Sequence, residues 1–141
     1  MRRILAAFVS MAFFAVVSLS QTVRTVNRYG DAVVYVDGNS IRDKNRYGDV
    51  LFVRDGNTVR LKSRYGEALM YIDGNTVRDR NRYGDALFYL DGNEVKVKNR
   101  YGTPLVYIDG PVVRSRNRYG DAIYYFEGVP SLWVLAALLR Y

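Results

Sequence analysis

The sequence predicts an all-β fold: tandem β-hairpin repeats of eighteen residues, closed into a pseudo-symmetric, flower- or propeller-like ring with a short apolar C-terminal helix as its plug. Three observations predict it. Tyrosines recur at Tyr29, Tyr47, Tyr65, Tyr83, Tyr101 and Tyr119, each inside Asn-Arg-Tyr-Gly or, once, Ser-Arg-Tyr-Gly. Half a period later stands Asp-Gly, at Asp37, Asp55, Asp73, Asp91 and Asp109, with Glu127-Gly128 last. Between these turn signals lie runs of about five to seven strand-forming residues, such as Ala86-Leu87-Phe88-Tyr89-Leu90, which leave no helical period.

The chain begins differently. Met1-Arg2-Arg3 is a basic start, residues 4–17 are uncharged and apolar, and Ser18-Leu19-Ser20 places small residues before Gln21. That pattern predicts a secretory signal peptide over residues 1–20, and so an exported protein, periplasmic or secreted. A transmembrane anchor is the competing reading, but the run is shorter than the roughly 18 to 20 apolar residues of a span. Absence of cysteine excludes both lipid attachment by a lipoprotein-type signal and disulfides, so the repeat domain, 21–141, has to be held by its core. Beyond residue 20 the chain carries 19 Lys+Arg against 14 Asp+Glu. This balance suits anionic partners, with nucleic acid disfavoured by export.

Repeats start near residues 27, 45, 63, 81, 99 and 117. In each, Asn or Ser opens a type I turn through a side-chain bond to the backbone ahead, and glycine closes it in a left-handed conformation. Asp-Gly predicts a two-residue type I′ hairpin. With Asp37-Gly38 at the tip, Val36 faces Asn39, Tyr35 faces Ser40, Val34 faces Ile41 and Val33 faces Arg42. One face then collects the core pairs: Val34 with Ile41, Phe52 with Val59, Met70 with Val77, Phe88 with Val95 and Val106 with Val113. The opposite face holds Val33, Leu51, Leu69, Leu87 and Leu105, together with tyrosines and cations.

At the ends, Thr22 to Val26 resembles a returning strand without its partner, and Ala122 to Phe126 an outgoing strand without its return. Pairing the two closes the ring and hides both sheet edges. The apolar segment 129–139 has Pro130 near a helix start and is apolar on nearly every side, which predicts a buried plug over a final strand or a membrane-facing tail. Two units break the rhythm. Pro104 and Pro111 remove backbone donors from unit five, suiting it to a seam or a bent rim. Arg54 puts a charge where the other units have Val, Ile or Leu, marking a place where the plug is missing.

Tandem Arg-Tyr-Gly-Asp and Asp-Gly-Asn units on this period, a leader and an apolar end with tryptophan together resemble the exported bacterial proteins called the five-fold beta-flower family. The resemblance covers residues 21–141 and implies hairpins radiating about a pseudo-symmetry axis, with no biochemical activity established. Six Tyr-Gly turns depart from the five that the name implies. Five complete hairpins with split terminal strands reconcile them, leaving five- or six-fold symmetry open.

Histidine and cysteine are both absent, which removes the commonest general base, thiol nucleophile and zinc ligands. A glycosidase needs only two carboxylates, but the acids recur at equivalent turn positions and offer no unique pair. Repeated Asp-Gly also lacks the spacing of calcium loops. The expectation is therefore no enzyme, cofactor or metal. The candidate ligand-binding residues are Tyr35, Tyr71, Tyr89, Tyr107 and Tyr125, which can stack on sugars, with Arg42, Arg60, Arg78, Lys96 and Arg114, which take carboxylates or phosphates. Repetition supplies avidity. Tyrosines packed between hairpins under Arg/Lys stems are the plainer account. The functional expectation is an exported, non-catalytic scaffold for glycans, anionic envelope polymers or an envelope protein. The alternative is a structural envelope protein with no specific ligand, and a carboxylate hydrolase comes third. No membrane span is expected after leader removal, and an outer-membrane barrel is disfavoured by strands shorter than about 9 to 11 residues.

Overall fold

In the computed structural model, which describes residues 20–141, the repeat becomes a closed antiparallel barrel of twelve strands. The predicted leader lies outside the described residues except for Ser20. The strands are β1 (Ser20–Thr25), β2 (Ala32–Asp37), β3 (Ser40–Asp43), β4 (Val50–Asp55), β5 (Thr58–Leu61) and β6 (Ala68–Asp73). They continue with β7 (Thr76–Asp79), β8 (Ala86–Asp91), β9 (Glu94–Val97), β10 (Pro104–Asp109), β11 (Val112–Ser115) and β12 (Ala122–Phe126), before helix α1 (Leu132–Arg140). Each strand pairs with its sequence neighbours, and β1 pairs with β12 through Val23 with Phe126, Arg24 with Tyr125 and Thr25 with Tyr124. Five hairpins are continuous in sequence; the chain ends supply the sixth. No sheet edge remains open along the ring.

The hairpin tips correct the predicted turn. Asp37 pairs with Ser40, Val36 with Ile41, Tyr35 with Arg42 and Val34 with Asp43, so the two central residues are Gly38 and Asn39. Gly38 has φ +62° while Asn39 does not have positive φ, which is the II′ pattern and not I′. Moving the tip by one residue moves the pairing by two. Because side chains alternate with period two, the change leaves the predicted core pairs on the core face. The core face therefore stands, but Val34 is not opposite Ile41.

The step repeats around the barrel. Val36 pairs with Ile41 and Ile41 with Phe52, the next unit's equivalent of Val34. The rows Arg54–Val59–Met70, Ile72–Val77–Phe88 and Leu90–Val95–Val106 follow the same offset. So do Ile108–Val113–Tyr124 and Phe126–Val23–Val34. A constant stagger tilts the strands and, on closure, sets equivalent residues at one height.

At every junction between units a bulge adds one residue. Ile41 pairs with Phe52 but Arg42 with Val50, leaving Leu51 extra, and Val33, Leu69, Leu87, Leu105 and Ile123 occupy the same place. These residues pack against the core instead of standing on the outer face as the alternation predicts. Their carbonyls accept the N–H of Val26, Lys44, Lys62, Arg80, Lys98 and Arg116, which hold φ between +59° and +65°. That bond fixes the left-handed backbone the bulge requires, even at a β-branched valine. Pro104 begins β10 beside such a bulge, and Pro111 keeps the carbonyl that accepts Phe126 N–H at 2.8 Å. Unit five thus keeps the common register and is not a seam.

Inside, Val23, Ile41, Val59, Val77, Val95 and Val113 form a fully buried ring. Helix α1 fills the space they enclose. Trp133 to Leu138 are all buried, and six successive residues at about 100° each face every direction, which only an enclosed helix allows. Arg54 does not mark a gap: its guanidinium lies 6.0 Å from the Trp133 ring centroid and its Nε donates to Gly56 O at 2.9 Å. It lies beside the tryptophan at the Asp-Gly end of the barrel.

Candidate functional site

The barrel has two rims built from the two turns of the repeat, and a wall between them. On the wall, the register sets Tyr35 opposite Arg42, Tyr71 opposite Arg78, Tyr89 opposite Lys96 and Tyr107 opposite Arg114. Tyr125 opposes Arg24, and Arg60 opposes Val53, so unit two has no tyrosine. Strand pairing thus brings the predicted tyrosines and cations together as a belt, with Arg24 as a member that sequence reasoning missed. All are half-buried.

The belt cations are paired within the protein, although the buried Nε groups of Arg42 and Arg60 have no hydrogen-bond acceptor. Each lies 2.9 to 4.0 Å from the acid at its own hairpin tip: Arg24 with Glu127, Arg42 with Asp37, Arg60 with Asp55, Arg78 with Asp73, Lys96 with Asp91 and Arg114 with Asp109. The Nη1 groups of Arg24, Arg42, Arg60, Arg78 and Arg114 donate to the carbonyls of Gly30, Gly48, Gly66, Gly84 and Gly120 at 3.1 to 3.3 Å. One side chain thereby ties an Asp-Gly tip to a Tyr-Gly turn across the wall. The hydrogen bond to Asp91 holds the Lys96 ammonium above the ordinary lysine pKa, with Glu94 adding to it and desolvation opposing.

The Tyr-Gly rim is different. Asn45 Oδ1 accepts Tyr47 N–H at 2.9 Å and Asn45 O accepts Gly48 N–H at 2.9 Å, which builds the turn predicted for it. Gly48, however, is not left-handed. A Cβ there would overlap the Asp43 carbonyl, so close approach of two backbones, and not positive φ, requires the glycine. The turn throws Arg46 and Tyr47 outward. Tyr29, Tyr47, Tyr65, Tyr83, Tyr101 and Tyr119 are 80 to 85% exposed, with a guanidinium 4.9 to 5.5 Å from each ring centroid. Arg28, Arg46, Arg82 and Arg118 also donate to their own tyrosine hydroxyl at 2.7 Å. The result is a crown of six aromatic and cationic pairs on one level.

No protein-family model, curated protein or solved structure matches this chain. The charges distinguish the two ends of the barrel. Seven acids and seven cations lie on the wall and Asp-Gly rim: the belt pairs together with Glu94 and Arg54. They cancel. At the Tyr-Gly end stand the six crown arginines, Lys44, Lys62, Arg80, Lys98 and Arg116 beside them, and Arg140 on the helix. These twelve cations meet seven acids: Asp31, Asp43, Asp49, Glu67, Asp79, Asp85 and Asp121. The whole excess of the repeat domain sits at one end.

In the sequence the crown tyrosines mark the period, and the residues expected to recognise a ligand lie on the strands. The signal was present, because a tyrosine third in an Asn-opened turn has no strand neighbour to cover it.

Proposed function

We propose that this protein is an exported, non-catalytic scaffold that binds anionic components of the cell envelope, acidic glycans and other polyanions, through its Tyr-Gly rim. The observation that supports it is the uncompensated charge gathered beside six exposed tyrosines. A guanidinium over an aromatic face recognises carboxylate or phosphate while the ring stacks on an apolar plane. Six equivalent weak contacts multiply in avidity. The likeness to the five-fold beta-flower proteins belongs to this proposal, as does periplasmic or secreted location.

Binding to a panel of acidic glycans and polyanions, measured at low and high salt, tests it. Retention is expected to weaken with salt and on combined Arg46→Ala, Arg82→Ala and Arg118→Ala substitution. If Tyr71→Ala with Arg78→Ala abolishes retention while the crown variant keeps it, the wall belt is the site. Silence across the panel favours the second reading, a structural protein without a ligand. The internal pairing of all six belt cations supports that reading.

A further inference from the structure

The crown's geometry says more about the partner than its charge does. Successive units are two strands apart, roughly 10 Å along the ring, which makes the crown roughly 20 Å across. Six tyrosines of nearly equal exposure stand on one level of a closed ring. An extended polymer crossing such a circle touches two or three pairs and leaves the others in water. Only a plane meets all six at once.

The chemistry of each pair fits one kind of plane. Tyrosine carries an apolar ring with a polar tip, the combination that settles at the headgroup level of a bilayer. The guanidinium beside it, and the exposed Lys44, Lys62, Arg80, Lys98 and Arg116 on the same rim, supply positive charge. Exposed Val26 adds an apolar contact on this rim. The described residues contain no helix long and apolar enough to cross a membrane. The strands are four to six residues long, and their outer wall carries the six ion pairs.

We infer that the anionic partner is a lipid surface, on which the barrel docks upright through its Tyr-Gly rim with its axis normal to the membrane. The inference rests on the proposed role of that rim. Tyrosines enter the headgroup layer, crown arginines and neighbouring lysines meet anionic headgroups, and the Asp-Gly rim is held away from the surface.

The test is cosedimentation of the full chain, with its N-terminus as the producing cell leaves it, with vesicles of phosphatidylcholine alone or with phosphatidylglycerol. Dextran sulfate binding is measured in parallel. Binding is expected only with phosphatidylglycerol. A Tyr29→Ser, Tyr65→Ser, Tyr101→Ser variant, which keeps every charge, is expected to lose about tenfold or more in vesicle binding but less than about threefold for dextran sulfate. These side chains are exposed, so an unchanged melting curve will show that the variant folds. Vesicle binding indifferent to the three tyrosines overturns the upright docking. Dextran sulfate binding without vesicle binding overturns the lipid partner and leaves the polyanion reading intact. Failure to bind either removes both.

Discussion

The two rims are made by the same six repeats, yet they solve the turn problem differently and end with different surfaces. At the Asp-Gly rim the chain reverses in two residues, Gly38 takes φ +62°, and nothing lies within 4 Å of where its Cβ would be. At the Tyr-Gly rim the chain takes a wider path, Gly48 is pressed against the Asp43 carbonyl, and positive φ passes to Lys44. The tight tip leaves its aspartate where a strand cation reaches it. The wide turn carries Arg46 and Tyr47 beyond any such partner. Turn geometry thus decides which charges are neutralised inside the repeat and which stay available.

The comparison can be broken most directly at the element that joins the rims. Leu135, 1% exposed on helix α1, packs inside the barrel. Leu135→Ala is expected to cost about 4 kcal/mol by transfer and cavity terms. Urea unfolding should remain a single transition; two transitions would make the rims independent units. Next come the glycines themselves. Gly84→Ala, which forces a methyl into the Asp79 carbonyl, should cost about 3 kcal/mol. Gly92→Ala, with open space around it and φ +63°, should cost only about 1 to 2 kcal/mol. Equal losses in denaturant midpoints would erase the proposed difference between the turns.

Left-handed residues at the wide rim give a smaller, opposite effect. Val26 has φ +59° and is about half exposed, so Val26→Asn relieves β-branched strain without emptying the core. A gain of about 1 kcal/mol is expected, seen as a rise of about 4 °C in Tm. The smallest effect belongs to the balanced rim. Because Asp91 raises the Lys96 pKa in the fold, the pair's contribution is complete below the ordinary lysine value and is lost as pH rises through the higher folded one. The stability gap between the wild type and Lys96→Gln should therefore hold from about pH 6 to about pH 9 and close in the alkaline range above the lysine pKa. A gap that persisted unchanged above the lysine pKa would assign the interaction to another group.

Much of this architecture is legible in the residues. The alternation of Val34 and Val36 with Tyr35 names the buried face, and it tolerates an error in the turn because slipping both strands preserves parity. Orphan half-hairpins at Thr22 to Val26 and Ala122 to Phe126 announce closure, and the all-apolar run at Trp133 announces enclosure. The bulges are not legible. Leu51 fits a regular strand in sequence, and only the neighbouring unit's pairing makes it surplus. The site divides likewise. The belt follows from strand register once the tip is correctly placed. The crown is not legible, because the turn signal in Asn-Arg-Tyr-Gly specifies a backbone path and not what its side chains face.

The eighteen-residue period, alternating polarity and Asp-Gly tips by themselves determined a ring of hairpins around an apolar plug, since each is a local preference repeated until it acts globally. Tertiary structure alone decided the rest: six units in the ring, a constant two-residue stagger, and equivalent residues gathered on common levels. Those depend on how neighbouring units pair and on a closure condition that only a whole number of tilted strands can satisfy. The concentration of net charge on one rim exists only after that closure, because in sequence the same charges alternate.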